Sequence, residues 1–387
     1  MHIKDIANRS LKVIDVPLIV ILGALTAVGL TVMQSATGGF DGKFMGQVRN
    51  FGVAFVAMWV VAMFPIRTTL RLSPAIYFAG LTLLVAVELI GETSKGATRW
   101  LNLGFIRIQP SEMMKVAVPM MLAWYFHIQR STLRTTHFLV AGLILFIPLA
   151  LIAHQPDLGT AVLVLSGGFF VFYLAGLPNK YFVPLAAVTL IGLAGLVFMK
   201  DELCQPQADW VILHDYQKNR VCTLLDPTSD PLGKGFHTIQ SMVAVGSGGV
   251  WGKGYMLGTQ AQLDFVPERT TDFIFAVYSE EFGLIGAMLL LTLYLAFIYR
   301  GLRIAIQANT KFSKLLAGSL SLTMFVYVFV NIGMVTGILP VVGVPLPMMS
   351  YGGTALITTG VACGMLMSIR YAEENYTSFH ETVETVL

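Results

Sequence analysis

Apolar runs long enough to cross a lipid bilayer dominate this sequence and decide its fold class. The 387-residue chain is 55% hydrophobic and only 12% charged, whereas a typical soluble domain carries about 25% charged residues. A transmembrane helix needs about 20 mainly apolar residues, and runs near that length recur along the chain. A porin-like barrel would instead show alternating segments of about ten residues. The sequence therefore predicts an all-α, polytopic membrane protein.

About ten transmembrane helices are expected from these runs. They are placed at roughly 16–35, 50–65, 74–91, 112–128, 137–153, 158–176, 181–199, 272–299, 313–338 and 348–369. The first run follows Lys4, Arg9 and Lys12, as a signal peptide would, but its length favours an uncleaved anchor. Lysines and arginines occupy alternate short loops, so the positive-inside rule places both termini in the cytoplasm. The net charge of +3 fits this bias and gives no indication of a nucleic-acid partner.

One connection is much longer than the others. Residues 200–271 form an outer loop of about 70 residues, which is too short for a substantial core of its own, so 1–387 is treated as a single membrane domain. Within this loop FHTIQSMVAVG places four apolar residues on one helical face, which predicts a short helix lying on the bilayer surface. Cys204 and Cys222 also lie in the loop. An oxidising exterior would permit a bridge between them, and two unpaired cysteines are the alternative.

Charged side chains gather where the predicted spans emerge at the outer face. The segment ETSKGATRWLNLGFIRIQPSEMMK carries Arg99 ahead of a helix for which Ser111 can serve as N-cap. Glu112 and Lys115 are three residues apart, so they can touch on one helical face. They can form an ordinary capping ion pair, or a pair that belongs to a site at the end of a membrane-embedded helix.

Two further polar segments lie at the same face. Asp157, in HQPDLGT, precedes a helix, which favours N-capping over catalysis. Nearer the C-terminus, three prolines precede MMSYGGT, which contains Ser350, Gly352 and Gly353. Prolines and glycines at membrane depth indicate a broken helix that is buried in protein or lines a cavity. Structural kinking and ligand contact are both open for this segment.

The stretch FVPERTTDFIFAVYSEEFGLIGAMLL holds an acidic residue at the start of a predicted span. Carboxylates in a membrane are costly and are candidates for function by default. Thr270 or Thr271 can cap the helix, which would place Asp272 in its first turn. The helix dipole would then stabilise the carboxylate and make it a weak base, whereas desolvation acts in the opposite direction. A general base and a dipole partner are both open readings of Asp272.

Two more carboxylates, Glu280 and Glu281, follow in the same span. Glu280 lies eight residues after Asp272, which is about 12 Å along a helix that rises about 1.5 Å per residue. That separation is too large for the two groups to share one reaction. Glu280 and Glu281 are therefore expected to be structural or coupling residues that pair with polar groups on other spans.

Six motifs resemble those of the SEDS family (shape, elongation, division and sporulation). In chain order they are ATRWLNLG, QPSEMMK, HQPDLGTA, DPLGKGFHTIQSMVAVGSGGVWGKG, TTDFIFAVYSEEFG and PLPMMSYGGT. Together they cover nearly the whole chain, which makes the resemblance specific. The segment PERTTDFIF and the short N-terminus are more similar to the elongation type than to the division type.

The resemblance implies a peptidoglycan glycosyltransferase that polymerises lipid II at the outer face of the bacterial cytoplasmic (inner) membrane during cell elongation. It also implies a class B penicillin-binding protein and the elongation machinery as partners, besides membrane lipids. The essential aspartate of the family falls on Asp272, and its paired charges at the fourth span fall on Glu112 and Lys115.

The chemistry of this reaction assigns roles to the candidate residues. Asp272 would take a proton from the acceptor hydroxyl as general base. Positive charge would neutralise the pyrophosphate, and the residues expected to supply it are Arg99, Lys115, Arg220 and Arg269. Glu112 and Lys218 are also expected to bind the substrate. A divalent cation, Mg²⁺ or Mn²⁺, is a further expectation from the chemistry alone.

Other functions fit the same composition. A transporter that moves lipid-linked precursors would also use broken helices and buried carboxylates, but its site would lie near the midplane of the membrane. The division-type relative is a second alternative. A scaffold for a partner synthase is a third, and it predicts that Asp272 is dispensable.

Overall fold

A bundle of long helices is the main feature of the computed structural model of this protein. The structure describes residues 12–94, 97–102, 104, 107–129, 133–178, 235–263 and 268–384, with separate positions between 180 and 204 and Cys222. The long helices are α1 (Val16–Thr37), α2 (Gly42–Met63), α3 (Ile66–Ile90), α4 (Pro110–Ile128), α5 (Thr135–His154), α6 (Leu158–Leu174), α9 (Ile274–Gln307), α10 (Lys311–Val335) and α11 (Gly353–Glu384). Two shorter helices are α7 (Phe236–Ser247) and α8 (Thr259–Gln262).

The nine long helices correspond to nine of the ten predicted spans. Seven of them, among the described residues, are long and apolar enough to cross a membrane, and α6 is a shorter apolar helix. The tenth predicted span, 181–199, lies mostly outside the described residues. The prediction of an all-α, polytopic membrane protein is confirmed.

Several boundaries differ from the prediction, and each difference has a local cause. Helix α2 begins at Gly42, about eight residues early, because the Asp41 side chain accepts a 2.7 Å hydrogen bond from the Phe44 backbone and caps it. Helix α11 begins at Gly353 rather than 348, after a proline-containing segment without helical structure. Ser111 is not an N-cap, since α4 begins at Pro110 with Gln109 as the capping residue.

A small antiparallel sheet between α3 and α4 was not predicted. Its strands are β1 (Glu92–Ser94), β2 (Ala97–Asn102) and β3 (Arg107–Ile108), in the order β1-β2-β3. Glu92 pairs with Trp100, and Leu101 pairs with Ile108. The sheet carries Arg99 on its middle strand and leads directly into α4.

Helix α10 lies at the centre of the described bundle and is the most buried of its candidate spans. It packs against α4, α6, α7, α9 and α11.

Helices α2 and α11 approach each other very closely. A Cβ added at Gly360 would come within 2.5 Å of the Ala54 carbonyl oxygen, and one at Gly364 within 2.4 Å of that of Met58. Only glycine permits this approach between the two helices.

The long outer loop contains the predicted bridge and a helix at the predicted position, whose place on the bilayer surface stays a prediction. Cys204 and Cys222 form a disulfide bond with their Cα atoms 5.5 Å apart, which confirms the bridge. Helix α7 covers FHTIQSMVAVG, and its small residues Thr238, Ser241 and Ala244 are buried against the bundle. The remainder of the loop lies largely outside the described residues.

The disulfide leads to a direct test. The chain has three cysteines, so denatured but unreduced protein should expose one reactive thiol, that of Cys363. After reduction all three thiols should react with a maleimide mass tag, as counted by mass spectrometry. Three reactive thiols without reduction would contradict the bridge.

Candidate active site

Asp272 lies in a short non-helical turn before α9, not in the first turn of the helix. The N-cap of α9 is Phe273, which makes no side-chain capping bond. Thr271, predicted as a possible cap, donates its hydroxyl to the Glu268 carboxylate at 3.0 Å instead. The capping arrangement predicted from the sequence is therefore wrong. The chain turns tightly through residues 268–273 and presents Asp272, half-buried, at the end of the bundle.

Three successive carbonyl groups in this turn are held by the C-terminal half of the chain. The Thr270 carbonyl accepts from the Tyr351 backbone at 2.8 Å, and the Thr271 carbonyl accepts from Ser350 Oγ at 2.7 Å. The Asp272 carbonyl accepts from Asn331 Nδ2 at 3.0 Å. All three bonds are made to backbone carbonyl groups, so they fix the turn without using the Asp272 carboxylate.

The segment 339–352, which links α10 to α11, forms one wall of the site. Gly343 has a φ of 73° and is exposed, and a Cβ built on it would lie 3.4 Å from Asp272 Oδ2. Ser350 is buried and also accepts a 2.7 Å bond from the Leu346 backbone. The prediction of non-helical backbone before α11 is confirmed, and this backbone contacts the turn that carries Asp272. Gly352 and Gly353 mark the start of α11, where Gly353 lies beside Asn50.

Asp157 connects the starts of α6 and α4. Its Oδ1 accepts from the Thr160 backbone at 3.3 Å, so it is the predicted N-cap of α6. Its Oδ2 accepts from Ser111 Oγ at 3.2 Å and from Gln109 Nε2 at 3.0 Å. Arg99 Nη1 lies 3.8 Å from Asp157 Oδ1, and Arg99 also donates to the carbonyl groups of the turn before α6. The start of α6 reaches the wall of the site, because a Cβ at Gly159 would lie 2.7 Å from the Val342 carbonyl oxygen.

Glu112 and Lys115 form an ion pair, with Lys115 Nζ 2.5 Å from Glu112 Oε1. Both side chains are buried, at 9% and 3% exposure. The Lys115 ammonium also lies 5.1 Å from the ring centre of Tyr327, on α10. Glu112 Oε2 has no hydrogen-bond partner among the described residues. The predicted contact is confirmed, and the low exposure of both groups favours a supporting role over direct contact with a ligand.

Glu280 and Glu281 lie further along α9, close to its interruption at Gly283 (φ 63°, ψ −162°). Glu280 Oε1 accepts from Lys253 Nζ at 2.6 Å and from the Gln260 backbone at 2.9 Å. These partners lie in the outer loop and not on another span, so the pairing predicted for Glu280 is wrong. Ser35 of α1 donates to Glu281, which is the predicted pairing with another span. Both glutamates are buried. They attach the 249–262 segment and α1 to the interruption in α9.

Arg269 lies beside the C-terminal end of α1, where its Nε donates to the Ala36 carbonyl at 2.6 Å. Lys218 and Arg220 lie outside the described residues. No group of three metal-ligating side chains occurs in the described part of the chain. The residues that the structure brings together at one end of the bundle are thus Arg99, Asp157, Glu112, Lys115, Asp272 and Ser350.

Three residues at this end of the molecule were not identified from the sequence. Asn331 and Tyr327 project from α10 one helical turn apart, toward Asp272 and Lys115 respectively. His237 of α7 stacks on Phe273, with ring centres 6.0 Å apart. Burial lowers the pKa of His237 and outweighs the negative charge of Glu268, which acts to raise it. The imidazole is therefore neutral at pH 7. A lone Asn or His carries no pattern in the sequence that would have identified these residues.

The comparisons with known proteins agree with this architecture. The model of the FtsW/RodA/SpoVE family, described as cell cycle proteins, matches residues 9–375. The chain belongs to this family. It is 47% identical to the peptidoglycan glycosyltransferase MrdB of Escherichia coli K12 over 358 residues, covering 92% of this chain and 93% of that protein.

Solved structures of family members have the same fold. A chain from a study titled as the structural coordination of polymerization and crosslinking by a peptidoglycan synthase complex matches with a TM-score of 0.77 and 29% identity. That match covers 93% of this chain and 98% of the other. The crystal structure of the rod shape determining protein RodA of Thermus thermophilus matches with a TM-score of 0.68 and 25% identity, over 92% and 96% of the two chains.

Proposed function

We propose that the end of the bundle around Asp272 is the active site of a peptidoglycan glycosyltransferase that polymerises lipid II. The chain is a peptidoglycan glycosyltransferase of the FtsW/RodA/SpoVE family, and its similarity to MrdB and to a rod shape determining protein supports the elongation type. The observation that carries the assignment of the site is the Asp272 turn. The turn that carries this carboxylate, at the end of the helical bundle, is held through three of its backbone carbonyl groups and lies beside the exposed Gly343.

Asp272 acts as general base in the proposed reaction. It removes the proton from the 4-hydroxyl of the acceptor sugar, and the freed oxygen attacks the anomeric carbon of the donor. The bond between that carbon and the pyrophosphate oxygen breaks, and lipid pyrophosphate leaves with the electron pair. Attack opposite the leaving group inverts the anomeric centre. Gly343 is exposed and has no side chain beside the carboxylate, since a Cβ there would lie 3.4 Å from Asp272 Oδ2, and the acceptor hydroxyl would approach from this side.

The leaving pyrophosphate requires positive charge near it. Arg99 keeps 27% of its side chain exposed and stands at the outer edge of the site, and Arg269 lies three residues before Asp272. We assign these two, with Lys218 and Arg220 of the outer loop, to the pyrophosphate. Glu112 and Lys115 then fix the start of α4 beneath them. A divalent cation would be held mainly by the pyrophosphate itself, because the described part of the chain contains no group of three metal-ligating side chains.

The membrane setting suits a substrate with a lipid tail, which stays between helices while the head group meets the outer loop. Both termini are proposed to lie in the cytoplasm, with Asp272 and the 200–271 loop outside. A class B penicillin-binding protein is the proposed partner, because a similar chain occurs in a synthase complex of polymerisation and crosslinking. This pairing would supply the crosslinks that a polymerase does not form.

Polymerisation and lipid flipping should be measured separately in one system. Liposomes containing the purified protein and fluorescent lipid II are expected to yield glycan strands on gels. Protein-dependent flipping, followed by accessibility of the label to a quencher, is expected to be absent. Flipping without polymer would support the transporter reading, and polymer that persists in the Asp272→Ala protein would contradict the assigned site.

A further inference from the structure

Asn331 makes two hydrogen bonds that link separate parts of the site. Its Nδ2 donates to the Asp272 carbonyl at 3.0 Å and to the Val344 carbonyl at 2.7 Å. The first bond reaches the turn that carries Asp272, and the second reaches the wall that carries Gly343. The two amide hydrogens therefore set the separation between the carboxylate-bearing turn and the backbone in front of it.

The orientation of the Asn331 amide follows from its surroundings. Reversing it would place Oδ1 against two carbonyl oxygens, which are acceptors only. In the observed orientation Oδ1 has no hydrogen-bond partner among the described residues, although Asn331 is fully buried. An acceptor buried in this way is unfavourable, so replacing the amide with an apolar group would remove that cost. Such a substitution would, however, also remove the two hydrogen bonds that the amide donates.

The helix that carries Asn331 is suited to positioning. Helix α10 is the most buried candidate span of the described bundle, and side chains on rigid elements hold a site more accurately than loop residues do. Neither segment that Asn331 links is helical or stranded. The rigid span thus supplies a fixed reference point for two irregular pieces of backbone.

We propose that Asn331 is a positioning residue for Asp272, an inference that rests on the proposed role of Asp272 as general base. Asn331 is buried and acts on the substrate only through the Asp272 turn and the Gly343 wall. Displacing a reacting group by about 1 Å can lower a rate about a hundredfold. Loss of the amide should therefore lower kcat and leave KM nearly unchanged.

The test compares Asn331→Leu, which fills a similar space without a donor, with Asn331→Ala. Full-length proteins in liposomes, with lipid II as substrate, should both show a fall in kcat of about ten- to a hundredfold, with KM within about twofold of the original. Thr323→Val is the matched control. Thr323 is also buried on α10, but its hydroxyl donates only to the Ser319 carbonyl of its own helix, so its kcat should not change.

A double-mutant comparison distinguishes a positioning role of Asn331 from a general loss of stability. Ser350 holds the adjacent Thr271 carbonyl, so Asn331→Leu and Ser350→Ala should be non-additive in the logarithm of kcat. Full additivity, or an Asn331→Leu protein with the original kcat, would overturn the proposal. Asp272→Asn is measured in parallel. If that protein is active, the general base itself is wrong; if it is inactive while Asn331→Leu is normal, only the positioning role fails.

Discussion

The Asp272→Asn protein is expected to lose lipid II polymerisation by at least about a hundredfold and up to about ten-thousandfold, the range that general-base catalysis contributes. Asparagine has nearly the same shape as aspartate but cannot accept the proton. The three backbone contacts that hold the turn use carbonyl groups of residues 270–272, so they survive the substitution. The variant should therefore insert, fold and bind lipid II.

A control for this experiment is available in the same turn. Glu268 is an exposed carboxylate four residues before Asp272, and Glu268→Gln should keep polymerisation within about twofold, since surface substitutions usually have small effects. Strand formation is followed on gels, and folding is followed by size-exclusion chromatography and thermal unfolding. Near-normal polymer from folded Asp272→Asn protein would exclude the general-base role.

Features encoded by nearby residues were predictable from the sequence. Apolar runs identified nine of the helices described here, because burial in lipid requires about 20 such residues in succession. Spacing of three residues identified the Glu112–Lys115 pair. The position before a helix identified Asp157 as an N-cap. Each of these depends on residues that are close in the chain.

Features created by distant residues were not predictable. The Asp272 turn is held by Asn331, Ser350 and Tyr351, about 60–80 residues further along the chain, and these contacts replace the cap that local spacing suggested. Glu280 pairs with Lys253 because the 249–254 backbone fits against the interruption of α9 at Gly283. A Cβ at Gly283 would lie 2.3 Å from the Gly252 backbone nitrogen, a contact that no periodicity reveals.

The buried Glu112–Lys115 pair should show the second large effect. Lys115→Met leaves the Glu112 carboxylate buried without its cation, and Glu112→Gln leaves the ammonium without its anion. Breaking a buried pair in this way costs about 3–5 kcal/mol. Each single variant is therefore expected to unfold at a clearly lower temperature in detergent and to yield much less folded protein.

The double variant Glu112→Gln/Lys115→Met distinguishes a supporting pair from a ligand-binding pair. Replacing a buried ion pair by neutral side chains of similar volume is often neutral for stability, so the double variant should be more stable than either single variant. Because Lys115 is only 3% exposed and lies over Tyr327, we expect its polymerisation rate per folded molecule to stay within about tenfold of the original. A well-folded double variant without activity would instead show that one of the two charges contacts the substrate during the reaction. That outcome would require α4 to move, since the ammonium is enclosed by Glu112 and α10 in the structure.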